Sequence, residues 1–219
     1  MIRRGLVLLA LAAALVTPGA RALSAAEPAR EEALAALADT GDVDGRRSGA
    51  LALGETGLMA DMPRLAAALR DEDRLVRELA ERAMWQVWSR SGDAAVDHLF
   101  AVGVEQMSTR QGELAVQTFT EVIRRRPDFA EGWNKRATVY YLLGEYQKSL
   151  ADCDEVMKRN PYHFGALSGY GMIYLQLDQP AKALDYLQRA LQVNPNLDSI
   201  NQTVEMLKPL LLQRRKDTI

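Results

Sequence analysis

Three prolines, Pro127, Pro161 and Pro195, follow one another at intervals of 34 residues. Proline sits badly inside a helix and well beside one, so an even spacing of this length marks a repeating unit of two short helices. A unit that small cannot bury its own apolar face and must lean on its neighbour. The residues between the prolines keep one register: Gly103, Ala137 and Gly171 share a position, Ala115, Ser149 and Ala183 a second, and Val122, Val156 and Ala190 a third. Compact side chains at these points let adjacent helices approach closely, where bulky ones would force them apart.

The middle unit carries Trp133, Ala137 and Tyr140 in its first half and Gly144, Tyr146 and Pro161 around its second. With these residues it resembles the tetratricopeptide family. The resemblance implies an alpha-alpha superhelix of three repeats, 96–129, 130–163 and 164–197. In the middle repeat a first helix is expected from about Ala130 to Leu143, a turn at Gly144 and Glu145, and a second helix from Tyr146 to Arg159. The third repeat keeps Gly171, Tyr174, Ala183, Ala190 and Pro195, and its Pro180 suits a first helical turn. In the first repeat Leu99 and Gln106 stand where aromatics are usual and Gly112 falls two positions late, which leaves the turn unplaced. Leu197, Ile200, Val204, Leu207 and Leu211 then recur at helical spacing, so 198–219 reads as a capping helix and tail.

Upstream, Arg46 to Gly54 and Val76 to Met84 are similar in pattern, and with Pro63 and the segment Ala68 to Asp73 they resemble short HEAT-type helix pairs. Residues 23–95 are therefore expected to form helices that pack onto the first tetratricopeptide hairpin and extend it as one curved array, with 23–29 a loose lead-in. Trp85 and Trp88 share a helix face and read as core of that junction. No strand-like alternation occurs, so the fold class is all-α.

Residues 1–22 have the layout of a secretory signal: Arg3 and Arg4, an apolar run from Leu6 to Val16, then Pro18 and small residues up to Ala22. The expectation is export, to a bacterial periplasm, with no stable membrane insertion once the signal is removed. Its loss would take three arginines, leaving 24 basic residues against 29 acidic ones and arguing against a nucleic-acid partner. Cys153 is the single cysteine, so the chain has no internal disulfide to staple it.

An enzyme needs convergent side chains, and His98 and His163 have neither a partner at i+4 nor cysteines or carboxylates at metal-ligand spacing. His163 follows the Asn160-Pro161 turn and is expected to pack or cap there. Gly165, Gly169 and Gly171 have no strand before them and read as helix-packing glycines, not as a phosphate loop. No catalytic role, metal or cofactor is expected. The tetratricopeptide resemblance implies instead a concave groove, lined by first helices, that holds a peptide or protein. Its register places Phe100, Val104 and Met107 of the first repeat there, Asn134, Lys135, Thr138 and Tyr141 of the second, and Ser168, Met172 and Leu175 of the third. Of a set that would clamp a terminal carboxylate only Asn134 and Lys135 are present, which argues against that use. The chain reads as a scaffold or adaptor, with a permanent subunit of an envelope assembly as the alternative.

Overall fold

A computed structural model describes residues 18–217, which are helical with no strand among them. Helices α1 (Pro18–Ala38), α2 (Val43–Thr56), α3 (Met62–Ala68) and α4 (Arg74–Trp88) precede three hairpins. These are α5 (Ala94–Ser108) with α6 (Gly112–Arg125), α7 (Ala130–Leu142) with α8 (Tyr146–Arg159), and α9 (Phe164–Gln176) with α10 (Pro180–Val193). Helix α11 (Asp198–Asp217) closes the series. The apolar run Leu6–Val16 lies outside the described residues.

The register seen in the prolines governs the packing. A Cβ on Gly103 would lie 2.7 Å from the Phe119 ring, and one on Gly171 would lie 2.3 Å from Leu187. At each hairpin turn one residue takes a positive φ, and the three are register-equivalent: Arg110 (61°), Gly144 (75°) and Asp178 (50°). Only the middle one is the glycine that this conformation favours. The turn of the first repeat is thus placed on an arginine, which is why Gly112 appeared late. Position 205, one period after Gly171, is Glu205, and Tyr174 is followed in the same way by Lys208. These two form an exposed ion pair of 2.7 Å on α11, where a small residue and an aromatic meet the second helix of a hairpin.

One expectation needs a small correction. Residues 23–29 are helical, not a loose lead-in. Downstream in α1, Ala33 and Leu37 are buried against α2, where Gly49 admits their backbone so closely that a Cβ would sit 2.6 Å from the Ala33 carbonyl oxygen. A docked half-helix propagates cheaply through the alanine-rich stretch before it. Trp133 is half-buried and has two guanidinium groups over its ring, Arg136 at 5.1 Å and Arg159 at 4.8 Å from its centre, while its Nε1 donates to the Pro127 carbonyl.

The larger correction concerns where α1–α4 sit. They do not add one more layer to the stack beyond α5. Helix α4 instead runs along the loops that join one hairpin to the next. Near its start, Arg77 donates to Asn196 (3.1 Å) and Glu81 accepts from Asn194 (3.0 Å), both in the loop before α11. The Asn196 amide donates in turn to the Leu69 carbonyl just after α3, and Arg70 there donates to the carbonyls of Gln192 and Val193. Two turns further along α4, Trp85 and Trp88 meet His163 and Phe164 in the loop before α9. At its end, Val87 and Trp88 share a hollow with Phe129 in the loop before α7. The reason is chemical match: the Asn-Pro turns present amide groups and an aromatic pair, and α4 carries the acid, the cation and the indoles that suit them in order.

Candidate functional site

The first helices α7 and α9 face each other across a hollow of ≈ 130 Å³ that brings together Asn134, Thr138, Tyr141 and Met172. Its depth comes from absent side chains. Gly165 and Gly169 lie one helical turn apart on α9 and both line it, with Cys153 from α8 at its back. The two glycines differ in cause. A Cβ on Gly165 would meet Trp85 at 2.7 Å, whereas one on Gly169 would find only the Cys153 sulfur at 3.7 Å, an ordinary contact. Packing therefore demands the first glycine, and the second simply keeps the hollow open.

Hydrogen-bond accounting sets the polarity of this face. Thr138 Oγ1 donates to the Asn134 carbonyl (2.9 Å), Ser149 Oγ to the Ala137 carbonyl (2.7 Å), and Ser168 Oγ to the Phe164 carbonyl (2.8 Å). Each hydroxyl has spent its hydrogen on a helix carbonyl. Thr138, exposed at the hollow, therefore offers lone pairs there, whereas Ser149 is buried and Ser168, expected in the groove, is not part of the lining. The Asn134 amide nitrogen is spent as well, lying 3.1 and 3.2 Å from the two oxygens of Glu131. Tyr141 accepts from Gln176 (3.4 Å) and keeps its own hydrogen.

Glu131, at the start of α7, is wholly buried, and His163 and Lys135 reach it at 2.8 and 3.0 Å. Burial pushes its carboxyl upward, but the hydrogen bond from His163, with the Lys135 charge beside it, outweighs that and holds it below the ordinary range. The tautomer of His163 follows from its other nitrogen: Nδ1 accepts from the Ala166 N–H (3.1 Å) at the start of α9, so the proton belongs on Nε2, facing Glu131. The ring also stacks on Trp88 with centres 4.5 Å apart. It both caps and packs, and it carries the contact between α4 and the groove helices.

Other residues expected in the groove are placed elsewhere. Phe100 is corrected to core: it is buried, with ring centres 5.8 Å from Phe119 and 5.3 Å from Phe129, because an aromatic at that position finds two aromatics inside its own repeat. Val104 and Met107 are partly buried against the same cluster, and Leu175 packs against the cluster shared by α10 and α11. Lys135 turns to Glu131 and to the Trp85 ring, 5.8 Å away. Cys153 is buried, and burial, with Asp152 and Asp154 adding, pushes its thiol up to about 12, which leaves it unreactive. The sequence reading took Gly169 for a helix-packing glycine, and that is corrected: nothing packs closely on it, and with Gly165 it lines the hollow from one helix face. The same reading passed over Met206, one period after Met172 and 66% exposed, which holds the corresponding position on α11.

Residues 128–196 match the tetratricopeptide repeat family. A TPR repeat-containing protein of Rhizobium etli is 32% identical over 128 residues, covering 58% of this chain and 63% of that protein. Anaphase-promoting complex subunit 7 of Dictyostelium discoideum is 31% identical over 99 residues, 45% of this chain and 17% of its own length. The chain thus spans less than two thirds of either relative. Among solved structures, the Sgt2 TPR domain from Aspergillus fumigatus aligns with a TM-score of 0.53 at 17% identity, covering 57% of this chain and 83% of that one. The first TPR of Spaghetti (RPAP3), bound to an HSP90 peptide, gives 0.51 at 19% identity, with 53% and 93% covered. At these identities the structural likeness speaks for the fold.

Proposed function

We propose that this chain, a member of the tetratricopeptide repeat family through residues 128–196, is a binding module and not an enzyme: an exported adaptor that holds a segment of another protein across α7 and α9. The observation that carries the reading is the hollow at Gly169, kept open where packing would tolerate a side chain. Apolar contact comes from Met172 and Tyr141 beside the lone pairs of the Thr138 hydroxyl. Such a face suits an apolar side chain flanked by backbone N–H groups, as in the middle of a chain. It suits a terminal carboxylate poorly, because the Asn134 amide and the Lys135 ammonium are already engaged by Glu131. Export, to an envelope compartment such as the periplasm, rests on the sequence layout of residues 1–22.

The test replaces Met172 and Tyr141 with aspartate, and Gly169 with leucine in a separate variant, and compares partners recovered by cross-linking from the native compartment. Loss of the same partner in both variants, at unchanged helical content, is the expected result. A partner retained in both would move the function off this face. The alternative, a permanent subunit of an assembly, draws on Met206, Leu210 and Leu212, each of them exposed on α11. It requires the chain to co-purify with its assembly whatever stands at 169 and 172.

A further inference from the structure

The three inter-hairpin loops begin at register-equivalent residues, Arg126, Asn160 and Asn194. Asn194 and Asn160 are both fully buried, and each uses Oδ1 to accept a backbone N–H two residues on: Asn196 at 3.0 Å and Tyr162 at 3.1 Å. That contact fixes which end of each amide is nitrogen. The Asn194 Nδ2 then donates to a carboxylate oxygen, Glu81 Oε2, at 3.0 Å. The Asn160 Nδ2 has no acceptor in the protein, alone among buried side-chain polar atoms of the described residues. Two turns along α4 from Glu81, the residue beside Asn160 is Trp88, which brings no carboxylate.

Asn160 lines a hollow of ≈ 180 Å³ between the end of α4 and the first two loops. Three guanidinium groups line it, those of Arg90, Arg126 and Arg159, against the single carboxylate of Asp128. Arg126 is paired with Asp128 (3.2 Å) and Arg159 with Glu155 (2.6 Å). Arg90 instead donates to the carbonyls of Gly54 and Gly57, and among the described residues no carboxylate lies within ion-pair distance of it. Burial pulls its guanidinium below the ordinary value, against the more distant charge of Asp97. A buried amide donor and an exposed guanidinium with no carboxylate of its own line the same hollow. One water would answer the amide and leave the cation as it is.

We propose that this hollow is a carboxylate-binding site, in which one oxygen of the ligand accepts from Asn160 Nδ2 and the negative charge lies beside Arg90. The carboxylate takes the place at the second loop that Glu81 fills at the third. It is supplied either by a small free acid or by an acidic side chain of a partner. The site lies at the loop edge of the array, apart from the groove.

The test follows the side-chain amide resonances of Asn160 in the full-length protein during titration with sodium acetate. Sodium chloride at matched ionic strength is the control. The expected result is a saturable shift with acetate and none with chloride. Asn160→Asp keeps the oxygen that caps Tyr162, removes the donor and brings its own charge; followed through the backbone resonances of Ser91 and Phe129, it should weaken acetate binding by about tenfold or more. A blocked peptide with one aspartate separates the sources: saturation by acetate alone assigns a free acid, and saturation by both assigns a partner's side chain. Equal responses to acetate and chloride, a flat titration, or undiminished acetate binding in Asn160→Asp would each overturn the proposal.

Discussion

The repeats α5–α10 are held together by the close approach of carbon, whereas α1–α4 are held as much by paired charge. In the repeats, Gly103 and Gly171 let Phe119 and Leu187 sit against helix backbone. In the N-terminal helices, Arg30 holds Asp61 (2.7 Å), Arg46 holds Asp71 (2.8 Å) and Arg47 holds Asp73 (2.7 Å), tying each helix to the turn after a later one. Repeat packing speaks only to the next repeat, so an array built that way bends easily. Helix α4 touches loops from successive repeats, and through it a change at one loop is felt at the others. The charged region thus supplies the stiffness that the apolar region lacks.

Trp88→Ala should break this coupling most severely. The indole is buried, stacks on His163 and donates to the Met62 sulfur at 3.0 Å. Its loss is expected to cost on the order of 3–5 kcal/mol and to lower the single unfolding transition of the whole chain in urea. Two separate transitions in the wild-type protein would mean that α4 does not couple the regions. Next in size, Gly171→Ala stays within the repeats: the added carbon meets Leu187, and about 1–3 kcal/mol should be lost in thermal unfolding. A neutral result would show that α9 and α10 can slide apart.

A smaller contrast compares the repeats with one another at their turns. Gly144→Ala is expected to cost about 1 kcal/mol, since it places a side chain in the left-handed region. Arg110→Gly, which relieves that strain one repeat earlier, should be neutral or stabilising by roughly a few tenths of a kcal/mol, as glycine also frees the unfolded chain. Equal losses in both would deny that the positions are equivalent. The smallest effect is acid sensitivity of the N-terminal helices. The hydrogen bond from Arg47 holds Asp73 at about 2, below its unfolded value. A depressed carboxyl stabilises above the unfolded pKa and loses that contribution as pH falls through the folded one, here from about 4 down to about 2. Urea midpoints should drop across that window more in wild type than in Asp73→Asn, and parallel curves would exclude the pair as a contributor.

The sequence made the hairpins readable because each is a local matter: a proline between helices, a small residue where two meet, and a histidine able to accept at the start of α9. Trp85 and Trp88 could be read as junction core, but not their partners. His163 and Phe164 lie more than seventy residues away, and no period links them to α4. For the same reason the expected layering of α1–α4 on the first hairpin did not hold. In the groove, shared register brought Asn134, Thr138, Tyr141 and Met172 together. It misplaced Phe100 because register fixes the direction of a side chain and says nothing of what already waits there. Phe119 and Phe129 did.

The pair Glu205 and Lys208 bears on how long such a stack can grow. A superhelix is an open form, and its last surface resembles its internal ones closely enough for the next unit, or another molecule's first helix, to settle on it. On α11 that surface bears two opposite charges where carbon would have to be covered. Any addition must strip water from both ions before gaining a contact. Whatever would settle on this face of α11 is therefore opposed by chemistry instead of by shape.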